Sequence, residues 1–242
     1  MSTIHEEMSF LDHLEELRWR VIKSIASVAI CAIPCGIYWR YIFDLVMIYP
    51  LRYAEPKPQL IFTAPAEAVV LSIKIALFGG ILLSAPVIFY QVWRFIAPGL
   101  HKHEKKTILP AAFFSTLFFL GGVALSYVMI PHVLRFLSQF AAGRMEPFFR
   151  TNEYLSFLIK LSLAFGVVFE LPIISFVFTK LGFLTPGLLW KKFKYALVIV
   201  FILAALLTPP DIISQIFLAL PLLVLYGISI IVSFFAQERK KA

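Results

Sequence analysis

Six long apolar runs, cut apart by short basic or proline-bearing connectors, leave this chain few folds to choose from. They cover about residues 21–39, 68–89, 110–130, 154–181, 193–207 and 212–235. A helix needs about 20 such residues to cross bilayer hydrocarbon, and lipid offers no partner to an unpaired backbone group. Hydrophobic residues make up 60% of the 242 and mean hydropathy is +0.87. Charged residues are 15%, against about 25% in a soluble domain. A soluble chain of this length cannot hide so much apolar surface. The expectation is an all-α polytopic membrane protein, a single integral membrane domain over residues 1–242 with six transmembrane helices.

The fifth run is short. At ~1.5 Å per residue it reaches only about 22 Å, below the usual ~30 Å of hydrocarbon. The chain then turns at Thr208-Pro-Pro-Asp211 and re-enters at once. A thinned bilayer or a shielding partner is expected beside this hairpin. No signal peptide is expected, because residues 1–20 carry Glu6, Glu7, Asp12, Glu15 and Glu16 and no apolar core.

Direction follows from the basic residues. Arg18, Arg20, Lys23, Arg94, Lys102, Lys105, Lys106, Lys180, Lys191, Lys192, Lys194, Arg239, Lys240 and Lys241 fall on one side. Arg40, Arg52, Lys57, Arg135, Arg144 and Arg150 fall on the other, and Lys74 and Lys160 lie within or near span ends. The richer side is cytoplasmic, which puts both termini there. The net charge of +8 therefore reads as topology, not as a nucleic-acid surface, since the cations flank apolar runs instead of forming one stripe.

Cys31 and Cys35 sit four apart on one helix, poorly placed to bridge and too few for a zinc site. Packing is their expected role. His101 and His103, without a nearby cysteine, do not suggest a metal either. The outer connections, 40–67 and 132–153, bring Pro50, Pro56, Pro58 and Pro65, then Phe136, Phe140, Phe148 and Phe149. They are apolar enough to form a cap on the bundle. Pro50, Pro110, Pro131, Pro172 and Pro221 restrict the backbone, which points to a rigid scaffold.

Three acids carry the functional signal. Glu170 is the sole ionisable residue between Lys160 and Lys180. A carboxyl at that depth costs several kcal/mol on some scales, so it faces the bundle interior, a recess or a partner. Two readings stand side by side: a protonated group bonded within the bundle, or a polar site for another membrane segment. Gln91 and Gln215 are further candidates for that site, and Pro172 frees the carbonyl of Val168. Glu16 lies on a short amphipathic helix, expected along the membrane surface, in which Phe10, Leu14, Leu17 and Val21 recur at helical spacing. Glu104 is the lone acid of a basic connector. Glu16 and Glu104 share one side of the membrane, and together they suit an arginine pair, whose guanidinium groups bind carboxylates bidentately. Solvated charge is the bland alternative for both. Trp93 and Phe95 read as interface anchors or as the wall of an apolar groove beside those acids. Arg94, next to Phe95, either repels an arginine pair or turns away to headgroups.

Several strings resemble the twin-arginine translocase subunit TatC over essentially the whole length. They are His13-Leu-Glu-Glu-Leu-Arg18, Ser84-Ala-Pro-Val-Ile-Phe-Tyr-Gln-Val-Trp-Arg-Phe-Ile-Ala-Pro98, Lys102-His-Glu104, Tyr154-Leu-Ser-Phe157, Phe165-Gly-Val-Val-Phe-Glu-Leu-Pro172 and Leu207-Thr-Pro-Pro-Asp-Ile-Ile-Ser-Gln215. The resemblance implies a concave, glove-like bundle in the bacterial inner membrane. It implies binding of the twin-arginine signal peptides of folded cargo at Glu16, Arg18, Phe95 and Glu104. It implies that Glu170 meets single-span TatA- and TatB-type subunits, and that several copies of the chain associate in a larger complex. Transport would run on the proton-motive force without nucleotide or cofactor. Pro50, Tyr127, Pro172, Asp211 and Gln215 also fall on family positions. A proton-coupled solute transporter and an intramembrane hydrolase are the competing classes. The first lacks a repeat and further polar residues at the depth of Glu170. The second lacks a Gly-x-Ser-x-Gly or His-Glu-x-x-His string.

Overall fold

The computed structural model describes residues 10–53, 59–96, 108–141, 148–207 and 212–241. Each apolar run is helical. Five helical stretches are long and apolar enough to cross a membrane: Leu11–Ile37, Glu67–Ile96, Ile108–Phe136, Thr151–Leu181 and Ile212–Gln237. Phe193–Leu207 is the shorter apolar helix, at 15 residues.

Helix α1 (Phe10–Ile37) runs without a break from the amphipathic segment into the first span. Two short helices follow, α2 (Trp39–Phe43) and α3 (Tyr49–Leu51), joined by one π-helical turn at Asp44–Ile48. Helix α4 (Glu67–Ile96) and helix α5 (Ile108–Ala141) both outrun the expected spans. The α5 helix continues well into what reads as loop in the sequence, because 132–141 holds no breaker to stop it. Strands β1 (Gln59–Ile61) and β2 (Phe148–Arg150) pair in parallel, Gln59 opposite Phe148, and tie the two outer connections together.

The fourth run is two helices, not one. Helix α6 (Thr151–Val168) stops, Phe169 and Glu170 form a turn, and α7 (Leu171–Leu181) starts with Pro172 in its first turn. Pro172 has no N–H to extend α6, and that absence costs nothing at a helix start. Gly182, at φ 88°, closes α7 in the left-handed region that a glycine takes freely. Thr185 then caps α8 (Pro186–Lys191), accepting from the Leu188 N–H at 3.2 Å. Helices α9 (Phe193–Leu207) and α10 (Ile212–Lys241) complete the chain.

Two glycines set how closely the helices approach. A Cβ on Gly80 would lie 2.8 Å from the Val28 carbonyl oxygen of α1, and one on Gly122 would lie 2.6 Å from the Phe165 carbonyl oxygen of α6. Small residues at crossings let helices touch backbone to backbone, which is the main source of attraction between helices in lipid. Hydroxyl pairs add hydrogen bonds between helices, Ser126 to Ser162 at 2.9 Å across the α5–α6 seam, and Thr179 to Ser233 at 2.6 Å between α7 and α10. The larger buried cluster gathers Met47, Leu71, Ile75, Leu158 and Phe165; a smaller one holds Trp93, Ala111, Ile173 and Val177.

Candidate functional site

The end of α1 that carries Glu16 packs beside the end of α4. Arg20, one turn along α1, donates from Nε to Glu16 Oε1 at 3.0 Å, and its Nη2 bonds the same oxygen. Its Nη1 reaches Gln91 Oε1 on α4 at 3.3 Å. The other carboxyl oxygen, Glu16 Oε2, is buried and has no hydrogen-bond partner among the described residues; His13 Nδ1 lies 3.9 Å away. The His13 ring stacks on Phe95 at 4.4 Å between centroids. One carboxylate thus has one satisfied oxygen and one open oxygen beside an aromatic wall.

The neighbours sort differently from the sequence expectation. Gln91 stands with Arg20, not with Glu170. Arg94 lies exposed along Tyr90, donating to its hydroxyl at 3.3 Å. Arg18 is exposed. Trp93 is not an interface anchor. It is buried, and its indole N–H donates to Ser115 Oγ at 2.8 Å. Glu104 lies outside the described residues.

Glu170 is 6% exposed, at the turn where α6 hands over to α7. Ser115 of α5, which accepts from the Trp93 indole N–H, lies beside its carboxyl group, so Trp93, Ser115 and Glu170 gather from three helical segments. Glu170 Oε1 has no partner among the described residues. Beside it, Phe114, Phe118, Pro172, Ile173, Phe176 and Val232 line an apolar groove of about 370 Å³ between α5, α7 and α10. A buried acceptor with an unmet bond, next to an apolar groove, suits a helix that brings a polar side chain. Ser115 and Trp93 were not legible as its partners, since nothing in their local sequence marks a bond made across helices.

The opposite end is held by polar contacts of its own. Tyr127 donates its hydroxyl to the Leu45 carbonyl, and Tyr154 donates to that of Met47 at 3.3 Å, both in the π-helical turn. Pro50 is buried there, and Tyr49 stacks on Tyr127. Gln215 donates to the Phe201 carbonyl at 2.9 Å, bracing the α9–α10 hairpin instead of joining Glu170. Asp211 lies outside the described residues. Glu67 and Lys74 form a group the sequence reading missed. Glu67 accepts from the backbone N–H groups of Thr63 at 2.7 Å and Asn152 at 2.8 Å, while Lys74 donates to Asn152 Oδ1 at 2.6 Å and Ser156 Oγ at 2.8 Å. Their spacing of seven on one helix face was the available signal. No group of three metal-ligating side chains occurs among the described residues.

Known proteins share this fold. The sequence profile of the family described as "TatC: Sec-independent protein translocase protein (TatC)" matches residues 12–221. A Sec-independent protein translocase protein TatC of Helicobacter pylori is 42% identical over 91% of this chain and 87% of its own length. That of Aquifex aeolicus is 37% identical over 97% and 98%. A crystal structure described as the twin arginine translocase receptor TatC superposes with TM-score 0.80 at 36% identity, covering 93% of this chain and 99% of that one. A second, in a detergent, gives 0.82 at 38% identity, covering 90% and 98%.

Proposed function

The chain belongs to the TatC family of Sec-independent protein translocase proteins, and from that premise we propose that it is the subunit that receives twin-arginine signal peptides and gathers the single-span subunits around them. It is a multi-pass membrane protein and a component of a translocase, not a catalytic enzyme. The finer reading assigns the signal peptide to Glu16 and Phe95, together with Arg18 and Glu104, on the cytoplasmic side of the bacterial inner membrane. It assigns a TatA- or TatB-type helix to Glu170 and the groove beside it. Both termini are cytoplasmic in this reading, and several copies assemble in the working complex.

One observation carries the proposal: the buried, unpaired Oε2 of Glu16 beside the Phe95–His13 stack. A guanidinium donor from a signal peptide would satisfy that unpaired acceptor, and an apolar stretch following the arginines suits the aromatic wall. Ion pairs with solvent access give about 0–1 kcal/mol each, so most of the affinity comes from the apolar contacts. Glu170 adds an intramembrane hydrogen bond of roughly 0.6–2 kcal/mol. The force that drives transport is the proton-motive force, with no nucleotide bound by this chain. The test is crosslinking of a twin-arginine signal peptide to membranes carrying Glu16→Gln, Glu104→Gln or both. Each change weakens crosslinking more than it lowers the amount of protein. Unaltered binding in the double variant rejects the assignment.

A further inference from the structure

Arg20 already does to Glu16 what an incoming arginine is to do. Two of its guanidinium nitrogens hold Oε1, and the third is steadied by Gln91 of the neighbouring helix. Its side chain is only 13% exposed, so this guanidinium is largely withdrawn from water. We propose that Arg20, clamped by Gln91, is a built-in competitor for the signal-peptide arginine and sets the affinity threshold of the Glu16 site. The inference rests on the reading of Glu16 as the arginine-binding acid, and deepens it.

The geometry makes the competition specific. A bidentate grip on Glu16 needs both carboxyl oxygens. Oε2 is buried and unpaired among the described residues, and Oε1 is taken by Arg20, so a second guanidinium meets at most one unpaired oxygen until Arg20 lets go. Release breaks the contacts to Glu16, and Gln91 decides how readily it happens, because its carbonyl oxygen holds the guanidinium from the other helix. A site whose binding-competent form is only partly populated loses apparent affinity by that fraction. Releasing the clamp beforehand therefore raises affinity by one common factor for every cationic peptide that uses both oxygens. The preference for arginine over lysine comes from the fork geometry of the ligand, so it grows once both oxygens are free.

The experiment uses the full chain in lipid nanodiscs and a fluorescent synthetic peptide bearing two consecutive arginines before an apolar stretch, with a lysine-pair version alongside. Arg20→Gln tightens the arginine-pair peptide by about 2- to 10-fold, the range set by the worth of a charged hydrogen bond, and the lysine-pair peptide by less. Gln91→Leu, which loosens the clamp but leaves Arg20 in place, tightens the arginine-pair peptide by a smaller factor. Unchanged or weaker binding in Arg20→Gln overturns the proposal, as does weaker binding in Gln91→Leu. If Arg20→Gln does not accumulate in membranes, Gln91→Leu decides alone, with unchanged affinity counting against the clamp. Glu16→Gln separates the two levels. Loss of binding there, without tightening in the other two, overturns only the competitor; no loss there overturns the reading of Glu16 itself.

Discussion

Alanine at Gly122 destabilises this protein, whereas alanine at Gly121 next to it does not. The two glycines share one helix, so the gain in helix propensity, about 1 kcal/mol, is common to both. Their surroundings differ completely. A methyl on Gly121 meets nothing within 4 Å. A methyl on Gly122 lies 2.6 Å from the Phe165 carbonyl oxygen, 2.8 Å from the Phe169 ring and 2.9 Å from the Gly166 Cα. Two of those three atoms are backbone and cannot swing aside, so α5 and α6 must separate by about 0.4 Å or more to reach a tolerable contact. Overpacking of this kind costs typically ~1–3 kcal/mol. Because the propensity gain cancels in the difference, the two variants are separated by that full amount. The assay is unfolding of the purified protein in one detergent, by denaturant titration or thermal melting, with both alanine variants beside the parent. Gly121→Ala matches or exceeds the parent, and Gly122→Ala falls below it. Equal stabilities refute the claim that backbone contact at Gly122 holds the helix that leads into Glu170.

Other perturbations probe the polar contacts. Ser115→Ala leaves the buried indole of Trp93 in place but removes its acceptor at 2.8 Å. It is expected to cost about 1 kcal/mol or more in the same unfolding assay, while Trp19→Phe, at an exposed ring, is silent. Lys74→Leu strips Asn152 and Ser156 of their shared donor. Unfolding free energy then falls by about 1–3 kcal/mol, and Lys74→Leu with Asn152→Leu loses less than the sum of the two, a coupling that a double-mutant cycle reads directly. Tyr127→Phe releases the π-helical turn at the Leu45 carbonyl, and backbone amide exchange of residues 44–51 rises, with no change at residues 171–181.

The apolar helices were open to sequence reasoning because hydrocarbon thickness and backbone satisfaction act on composition alone. The short fifth helix followed from length. The break at Glu170 was half visible. Pro172 was read as freeing one carbonyl, yet the proline ends α6 and starts α7, so the acid sits at a turn instead of mid-helix. The pairing of Gln91 with Arg20 was not visible, since it depends on the rotation of α4 against α1, which the Gly80 contact with Val28 helps to set. The same holds for Trp93, where an aromatic near a predicted span end looked interfacial until tertiary packing buried it. Continuation of α5 through residues 132–141 was missed because charge and aromatic content suggested a loop while the backbone had no reason to stop.

The central claim is a division of labour, with Glu16 meeting the signal peptide and Glu170 meeting a partner helix inside the membrane. Photo-crosslinking side chains placed singly at positions 16 and 170, in membranes that hold the single-span subunits and a twin-arginine precursor, test it most directly. The account predicts that position 16 captures the precursor and position 170 captures a single-span subunit. Capture of neither species from position 170, or equal labelling of that position by water-soluble reagents with and without the partner subunits, contradicts it.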